Sequence, residues 1–247
     1  MIFSTNQYKI KVNRWGMIKK FFKSFKYNKK SSKTDPLSSY IKSLIDSVNN
    51  DKIFNQKIEH AKFCVIDTET TGLDFETAKL INIAAVKVVN FKILDIYDVF
   101  INPEIPIPEE SIKWHGITDD MVKDKPTVAE ILPDFLKFIR DSVIVGHHVN
   151  FDLKMINKDL KLYYGSEIKN IWIDTMFLYS KNILCRDDHI SLDFLLEKFN
   201  VKCIGRHTAL GDALATAEVF NKIVVKMKNG FKTVSDLYRS QFKEFHS

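Results

Sequence analysis

Four acidic residues and one histidine fall where predicted strands end or predicted helices begin. They are Asp67, Glu69, Asp152, Asp212 and His207. Side chains at the ends of neighbouring elements of an α/β sheet meet in one crevice. Carboxylate oxygens are the hard ligands that Mg²⁺ and Mn²⁺ prefer. Two such ions about 3.5–4 Å apart can clamp the attacking and leaving oxygens of a phosphodiester displacement. The pattern therefore suits a two-metal site for phosphodiester chemistry.

The stretch KFCVIDTETTGLD places Asp67 and Glu69 directly after a run of apolar residues. Residues two apart on a strand share a face, so both carboxylates are expected to project together from the strand end. Their repulsion raises a pKa unless a cation neutralises them. Taken alone, such a pair is also typical of a solvated strand end, and Asp152 alone is typical of a favourable first helical turn.

His207 and Asp212 are five residues apart, which is not a same-face spacing on one helix. If Thr208 caps the helix, His207 lies in the preceding loop and Asp212 lies one turn into the helix. A histidine with a pKa near 6.5 is suited to accept the proton of an attacking water. The alternative is an ordinary surface histidine.

Hydrophobic periodicity predicts strands and helices around these residues. The predicted strands are 62–67, 79–90, 91–103, 142–146 and 171–175. The predicted helices are 38–50, capped at Ser38 or Ser39, and 108–114, 127–141, 151–164, 191–200 and 208–229. Asn90 marks a tight turn between the second and third strands. Three hairpin strands followed by alternating helices and strands predict an α/β fold with a mixed five-stranded sheet flanked by helices.

Three ordered motifs, VIDTETTGLD, GHHVNFD and HTALGDALATAEVF, carry the candidate residues. Three shorter features accompany them: WHGIT, the pair Asp174-Thr175, and SLDFL. Over residues 60–227 this pattern resembles the DEDDh family of 3′–5′ exonucleases, to which the proofreading epsilon subunit of bacterial DNA polymerase III belongs.

The resemblance implies a ribonuclease H-like fold and release of nucleoside 5′-monophosphates from a 3′ end. It also implies two Mg²⁺ or Mn²⁺ ions held by four carboxylates, with a histidine as general base. The catalytic set is then Asp67, Glu69, Asp152, Asp212 and His207, of which the four carboxylates are the metal ligands. The substrate-binding residues implied by the resemblance are Thr70, Thr71, Gly72, Leu73, His115 and Phe151.

Three positions depart from the family pattern. His148 stands where Asn is frequent, Asn82 stands where Glu is frequent, and Thr208 stands where a basic residue is frequent. None of these replaces an implied metal ligand.

The charge of the chain is concentrated at its N-terminus. Residues 1–34 are rich in Lys and Arg and contain no Asp or Glu, so the remainder is close to neutral. Within this segment, Ile18, Phe21, Phe22 and Phe25 have the spacing of a short amphipathic helix. Such an arm can lie on anionic lipid, on a partner protein or on nucleic acid. A solvated tail, or a true start at Met17, are the alternatives.

The predicted organisation is a basic arm (1–36), a linker and helix (37–58), an exonuclease domain (59–230) and a short C-terminal tail (231–247). Three cysteines without C-x-x-C spacing indicate a reducing compartment, and we expect the cytoplasm. No stretch approaches the ~20 consecutive apolar residues of a membrane span, and no apolar segment makes the basic N-terminus a secretion signal.

The expected substrate is nucleic acid with a free 3′ end, with DNA favoured and a role in proofreading or repair. The alternatives are trimming of RNA or oligonucleotides, and an inactive accessory module of a polymerase. Candidate partners are a DNA polymerase, a membrane surface contacted by the arm, and a sliding clamp, because QFKEF (Gln241 to Phe245) loosely resembles a clamp-binding peptide.

Overall fold

The computed structural model describes residues 36–227 and 230–244. Residues 1–35 of the predicted arm therefore lie outside the described part of the chain. Five strands in the described part form one sheet in the order β3-β2-β1-β4-β5. They are β1 (Lys62–Thr70), β2 (Leu80–Val89), β3 (Lys92–Phe100), β4 (Val143–Gly146) and β5 (Trp172–Asp174).

Helices cover both faces of this sheet. Those in the described part are α1 (Pro36–Asp46), α2 (Asn50–Phe54), α3 (Glu109–His115), α4 (Asp119–Val122), α5 (Val128–Ile139), α6 (Val149–Tyr164), α7 (Thr175–Tyr179), α8 (Leu192–Lys198), α9 (Ala209–Met227) and α10 (Val234–Ser240). A π-helical turn, Ser180–Leu184, continues α7. The predicted mixed five-stranded sheet flanked by helices is confirmed.

Strands β1, β2 and β3 form an antiparallel meander, whereas β4 runs parallel to β1 and to β5. The turn between β2 and β3 has left-handed backbone at Asn90 and Phe91, with φ of 49° and 61°. Two successive residues of this kind are typical of the tight hairpin turns that match strand twist. The turn predicted at Asn90 is therefore confirmed.

The first strand is longer than predicted, because it continues through Thr70 instead of ending near Asp67. Its last residues stay paired with β2, where Thr68 lies opposite Ile83. Pairing with β4 stops at Val65. The end of β1 therefore has a strand on one side only, and this leaves an open crevice beside it.

The two faces of β1 pack into different halves of the core. Phe63 and Val65 belong to the half that contains α9, and the ring of Phe63 lies 4.9 Å from that of Phe220. Cys64 and Ile66 belong to the half that contains α5 and α6. Because side chains alternate along a strand, later residues of β1 continue these two directions.

Helix α1 begins at Pro36, so the cap predicted at Ser38 or Ser39 is wrong. Proline is favoured in the first turn because its fixed φ suits a helix and its missing N–H is not needed there. Leu37 and Ile41 of α1 are buried against α5 and α6. The segment predicted as a linker and helix thus contributes to the core, while the domain boundaries stay predictions.

In the described part of the chain, none of the helices combines the length and the apolar character that crossing a membrane requires.

Candidate active site

The end of β1 places Asp67 and Glu69 on the face that points toward α9. They continue the direction of Phe63 and Val65, which pack on that helix. Thr68 lies between them and points to the opposite face, toward α6. The end of β1 therefore contributes side chains to both faces of the sheet: the carboxylates of Asp67 and Glu69 to one face, and the hydroxyl of Thr68 to the other.

Asp152 lies in the first turn of α6 and is buried. The Thr68 hydroxyl donates a hydrogen bond of 2.6 Å to its Oδ1 atom. This bond ties α6 to β1 across 84 residues of sequence.

The start of α6 is fixed by the carboxylate of Asp174 at the end of β5. Its Oδ1 and Oδ2 atoms accept hydrogen bonds from the backbone N–H groups of His148 and Val149, at 3.2 and 3.1 Å. The same carboxylate accepts a bond from Met176 N and caps α7. His148 has left-handed backbone, with φ 59°. Asp174 is only 1% exposed, so it positions Asp152 without lining the site.

Asp212 lies one turn into α9, as predicted. Thr208 caps this helix, because its Oγ1 accepts a bond of 3.2 Å from Gly211 N. Gly211 is required here, since a Cβ atom would approach the carbonyl oxygen of Gly205 to 2.0 Å. This close contact packs the 204–208 loop against α9 and places the side chains of the loop near Asp212.

Arg206 is the cation nearest to this carboxylate. Its Nη1 donates to Asp212 Oδ2, and its Nε donates to Asp193 Oδ1 of α8 at 2.7 Å. Cys203 Sγ lies 3.6 Å from Asp212 Oδ1. The guanidinium thus bridges a buried carboxylate and an exposed one, and it occupies one side of Asp212.

His207 lies in the loop before α9, as predicted, and is exposed. Its backbone N–H lies 3.3 Å from Asp212 Oδ2, and its ring Nδ1 lies 3.4 Å from Arg206 Nη1. The ring centroid is 5.8 Å from that of Trp114, at an interplanar angle of 70°. The φ of 63° is left-handed, which is uncommon for a residue with a side chain and typical of constrained functional loops.

The four carboxylates share a crowded environment that resists ionisation. Burial and the charges of neighbouring carboxylates raise the pKa of Asp67 well above its usual range. Burial, with the charges of Asp212 and Asp152, raises the pKa of Glu69 to about 8. Burial raises the pKa of Asp152 to about 7, although the Thr68 bond opposes this. Burial also raises the pKa of Asp212, against the effect of Arg206. The cluster therefore favours a cation.

The donor set fits hard divalent ions, because all four side chains offer carboxylate oxygens in a site with excess negative charge. The present arrangement is not yet a cage. Among the described residues, no three or more His, Cys, Asp or Glu side chains are grouped so that they could hold a metal ion. The contact between Arg206 and Asp212 accounts for part of this, since it uses an oxygen that an ion would need.

The residues implied as substrate contacts lie at the end of β1, in the turn after it, at the end of α3 and in the first turn of α6. Thr70 Oγ1 donates to Gly72 O at 2.6 Å, and Thr71 Oγ1 accepts from Lys79 N at 2.9 Å, so both hydroxyls shape the turn after β1. Leu73 is 83% exposed at the tip of this turn. Their proposed roles toward substrate stay predictions.

The other two implied contacts differ in exposure. Phe151 packs against Phe75, with ring centroids 5.1 Å apart. His115 is buried, and its Nδ1 accepts a bond of 3.0 Å from Ile117 N, which leaves the proton on Nε2. Burial lowers the pKa of His115. It is therefore a neutral residue that holds local structure, and its role toward substrate stays a prediction.

Sequence reasoning missed the residues that support the carboxylates. Thr68, Cys203 and Arg206 were not singled out as site residues, and Asp174 and Asp193 were noted only as parts of short motifs. The position of Arg206 next to His207 is a local signal that could have drawn attention to it. The contacts of Thr68 and Asp193 cross the fold and have no local signal.

Comparison with known proteins identifies the class of this site. The exonuclease family model, RNase_T, matches residues 64–220, which is more than half of the chain. The chain belongs to this exonuclease family. It is accordingly a phosphodiester hydrolase, and the resemblance drawn from the three motifs is confirmed.

Similar proteins of known name place this exonuclease near bacterial DNA polymerase III. It is 39% identical over 165 residues to the DNA polymerase III subunit epsilon of Aquifex aeolicus, covering 67% of this chain and 81% of that protein. It is 41% identical over 177 residues to the DNA polymerase III PolC-type of Caldanaerobacter subterraneus, covering 71% of this chain. The exonuclease spans only 12% of that PolC-type protein.

Solved structures give the same fold. Exonuclease X, in a complex with 5′ overhanging duplex DNA, matches with a TM-score of 0.58 and 25% sequence identity. The match covers 72% of this chain and 99% of that chain. This exonuclease therefore shares its fold with that structure over most of its length.

Proposed function

We propose that this exonuclease removes nucleotides one at a time from the 3′ end of DNA, in proofreading or repair. The observation that carries the proposal is the meeting of Asp67, Glu69, Asp152 and Asp212 in one crevice, where each has a raised pKa. Such a cluster is costly unless divalent cations bind to it. The similarity to an epsilon subunit supports DNA as the substrate.

Two Mg²⁺ or Mn²⁺ ions would be held by these four carboxylates. When bound, the ions would supply positive charge to the attacking water and to the leaving oxygen of a phosphodiester. Thr68 keeps one oxygen of Asp152 fixed by its hydrogen bond. Asp212 has to release Arg206 before both of its oxygens become ligands.

His207 is the group that accepts the proton of the attacking water. Its ring is exposed at the mouth of the crevice, on the side of Asp212. The loop that carries it is short and anchored by Gly211 and Thr208. The ring contacts Trp114, and its Nδ1 atom lies 3.4 Å from Nη1 of Arg206, so the ring has to turn away from both side chains to reach the water.

The terminal nucleotide lies against the turn after β1. Thr70 and Thr71 hold this turn, Gly72 leaves room for a sugar or phosphate, and Leu73 projects toward the base. No Cβ atom placed at Gly72 would meet another atom within 4 Å, so this part of the turn is open. Phe151 forms the wall on the α6 side.

Association with a DNA polymerase is part of the proposal, because several relatives carry polymerase names. We do not extend the proposal to a sliding clamp. Gln241 is 2% exposed, and its amide bonds to Trp172 O at 3.0 Å and to Asp174 N at 3.1 Å. A clamp would have to pull this side chain out of the fold. Contact between the basic arm and a membrane, and a cytoplasmic location, stay proposals based on sequence.

The proposal is tested with purified full-length protein and 5′-labelled single-stranded DNA or RNA of the same sequence. With Mg²⁺ or Mn²⁺ we expect a ladder that shortens from the 3′ end, faster on DNA, and abolished by EDTA. His207→Ala is expected to lower turnover by about 10²–10⁴ while leaving the affinity for Mn²⁺ largely intact. Faster shortening of RNA would assign the enzyme to RNA trimming, and no shortening of either strand would support an inactive accessory module.

A further inference from the structure

Trp114 is a large apolar side chain that the fold leaves in solvent. It is the sixth residue of α3, and 72% of its surface is exposed. An exposed indole of this size contributes little to the core, and aromatic side chains of this kind are the surfaces on which bases of single-stranded nucleic acid stack. The exposed face of Trp114 is therefore suited to a ligand that stacks on an aromatic ring.

The backbone that carries Trp114 is held firmly against the end of β1. Ser111 Oγ donates a bond of 2.8 Å to Thr71 O, one helical turn before Trp114. The next residue, His115, is buried and bonded to Ile117 N. Gly116 then ends the helix with φ 71°. The indole is thus presented by a short element anchored on both sides, so little ordering is needed when a ligand binds.

Trp114 also reaches the opposite side of the crevice. Its ring lies 5.8 Å from that of His207 at an interplanar angle of 70°. This near-perpendicular contact leaves most of the indole free. Leu73 and the pair Phe75–Phe151 form a separate apolar wall on the α6 side. Apolar side chains therefore lie at two separate places, one at the start of α6 and one at the end of α3 beside the loop before α9.

We propose that Trp114 is the stacking platform for the base of the nucleotide on the 5′ side of the scissile phosphate. The proposal rests on the proposed function, in which the terminal base lies at Leu73 and Phe151. The next base of a single strand then needs its own surface, and Trp114 offers one beside His207. Stacking on an aromatic ring accepts any base, which suits an enzyme that removes nucleotides in succession.

The test distinguishes stacking of the second base from binding of the terminal base. The first substrate is the oligonucleotide oligothymidylate, and the second is an abasic strand, in which a sugar without a base replaces the second nucleoside from the 3′ end. Trp114→Leu keeps apolar bulk without an aromatic face, and Trp114→Phe keeps a smaller face. Leu162→Ala is the matched control, because Leu162 is 65% exposed on α6.

We expect Trp114→Leu to raise KM for the oligonucleotide about tenfold or more with little change in kcat. Trp114→Phe should recover most of this loss, and Leu162→Ala should behave as wild type. All variants should hydrolyse the abasic strand at the rate of the wild-type protein, because it has no second base to stack. In an Asp67→Asn background, oligothymidylate should quench the fluorescence of Trp114, and Trp114→Phe should abolish this change.

Two results would overturn the inference while leaving the nuclease proposal intact. One is an unchanged KM for the oligonucleotide in Trp114→Leu. The other is an equal loss on both substrates, which would show that Trp114 supports His207 or the fold and does not stack a base. A wild-type protein that hydrolyses neither substrate would instead overturn the proposed function together with this inference.

Discussion

Replacing Glu69 with glutamine should stabilise the metal-free protein at alkaline pH. Burial and the charges of Asp212 and Asp152 raise the pKa of Glu69 from its usual 4.5 to about 8. An acid whose pKa is raised in the folded state stabilises the fold at low pH, below its unfolded value, and this contribution is lost as pH rises through the folded value. The loss should fall between about pH 4.5 and pH 8.

The size of this effect follows from the shift in proton affinity. Each tenfold change in proton affinity corresponds to about 1.4 kcal/mol, so ionisation of Glu69 lowers the free energy of unfolding by at most roughly 5 kcal/mol. Since Glu69 is partly exposed and its neighbours can move, we expect about half of this. In a domain of this size about 2 kcal/mol corresponds to a change in Tm of roughly 4–8 °C.

The assay is thermal unfolding in EDTA across the pH range, with wild type, Glu69→Gln and a control. Glu197→Gln is suited as the control, because Glu197 is exposed on α8. The increase in Tm that Glu69→Gln gives over wild type should be small near pH 5 and should reach its full size near pH 9. Added Mg²⁺ should raise the Tm of wild type more than that of the variant. An advantage that is independent of pH, or equal in Glu197→Gln, would refute the electrostatic reasoning.

Three further substitutions test the groups around the carboxylates. Thr68→Val removes the bond to buried Asp152 and should cost about 1–3 kcal/mol in urea unfolding, whereas Thr68→Ser should not. Asp174→Asn weakens the charge-assisted bonds that fix the start of α6. It should lower the free energy of unfolding in urea by roughly 2 kcal/mol and should also lower kcat. Arg206→Gln removes a competing cation from Asp212, so a Mn²⁺ titration followed by electron paramagnetic resonance should give tighter binding; weaker binding would show that Arg206 supports the site.

The fold was largely predictable because its signals are local. The apolar alternation of the strands and the turn at Asn90 both act over a few residues. The continuation of β1 to Thr70 was missed, because polar residues such as Thr68 read as a strand end when their pairing with β2 is not visible. The start of α1 at Pro36 was missed for a related reason, since Ser38 and Ser39 are equally good local caps.

The carboxylates of the candidate site were predictable because each lies next to a local boundary between elements. Their supporting contacts were not, because these depend on sheet register and on helix packing. Asp193 meets Arg206 across 13 residues, and Gln241 meets Asp174 across 67. Gln241 is an example: the sequence showed only a loose resemblance to a clamp-binding peptide, whereas the fold reveals that this side chain bonds to the backbone of β5.

The central claim is that Asp67 and its neighbours hydrolyse nucleic acid from the 3′ end. The most direct measurement compares two single-stranded DNA oligonucleotides, one blocked at the 5′ end and one at the 3′ end, with Mg²⁺ and chromatographic analysis of products. The 5′-blocked strand should be converted to nucleoside 5′-monophosphates, the 3′-blocked strand should stay intact, and Asp67→Asn should release nothing. Degradation of the 3′-blocked strand, products that carry 3′-phosphates, or full activity in Asp67→Asn would contradict the account.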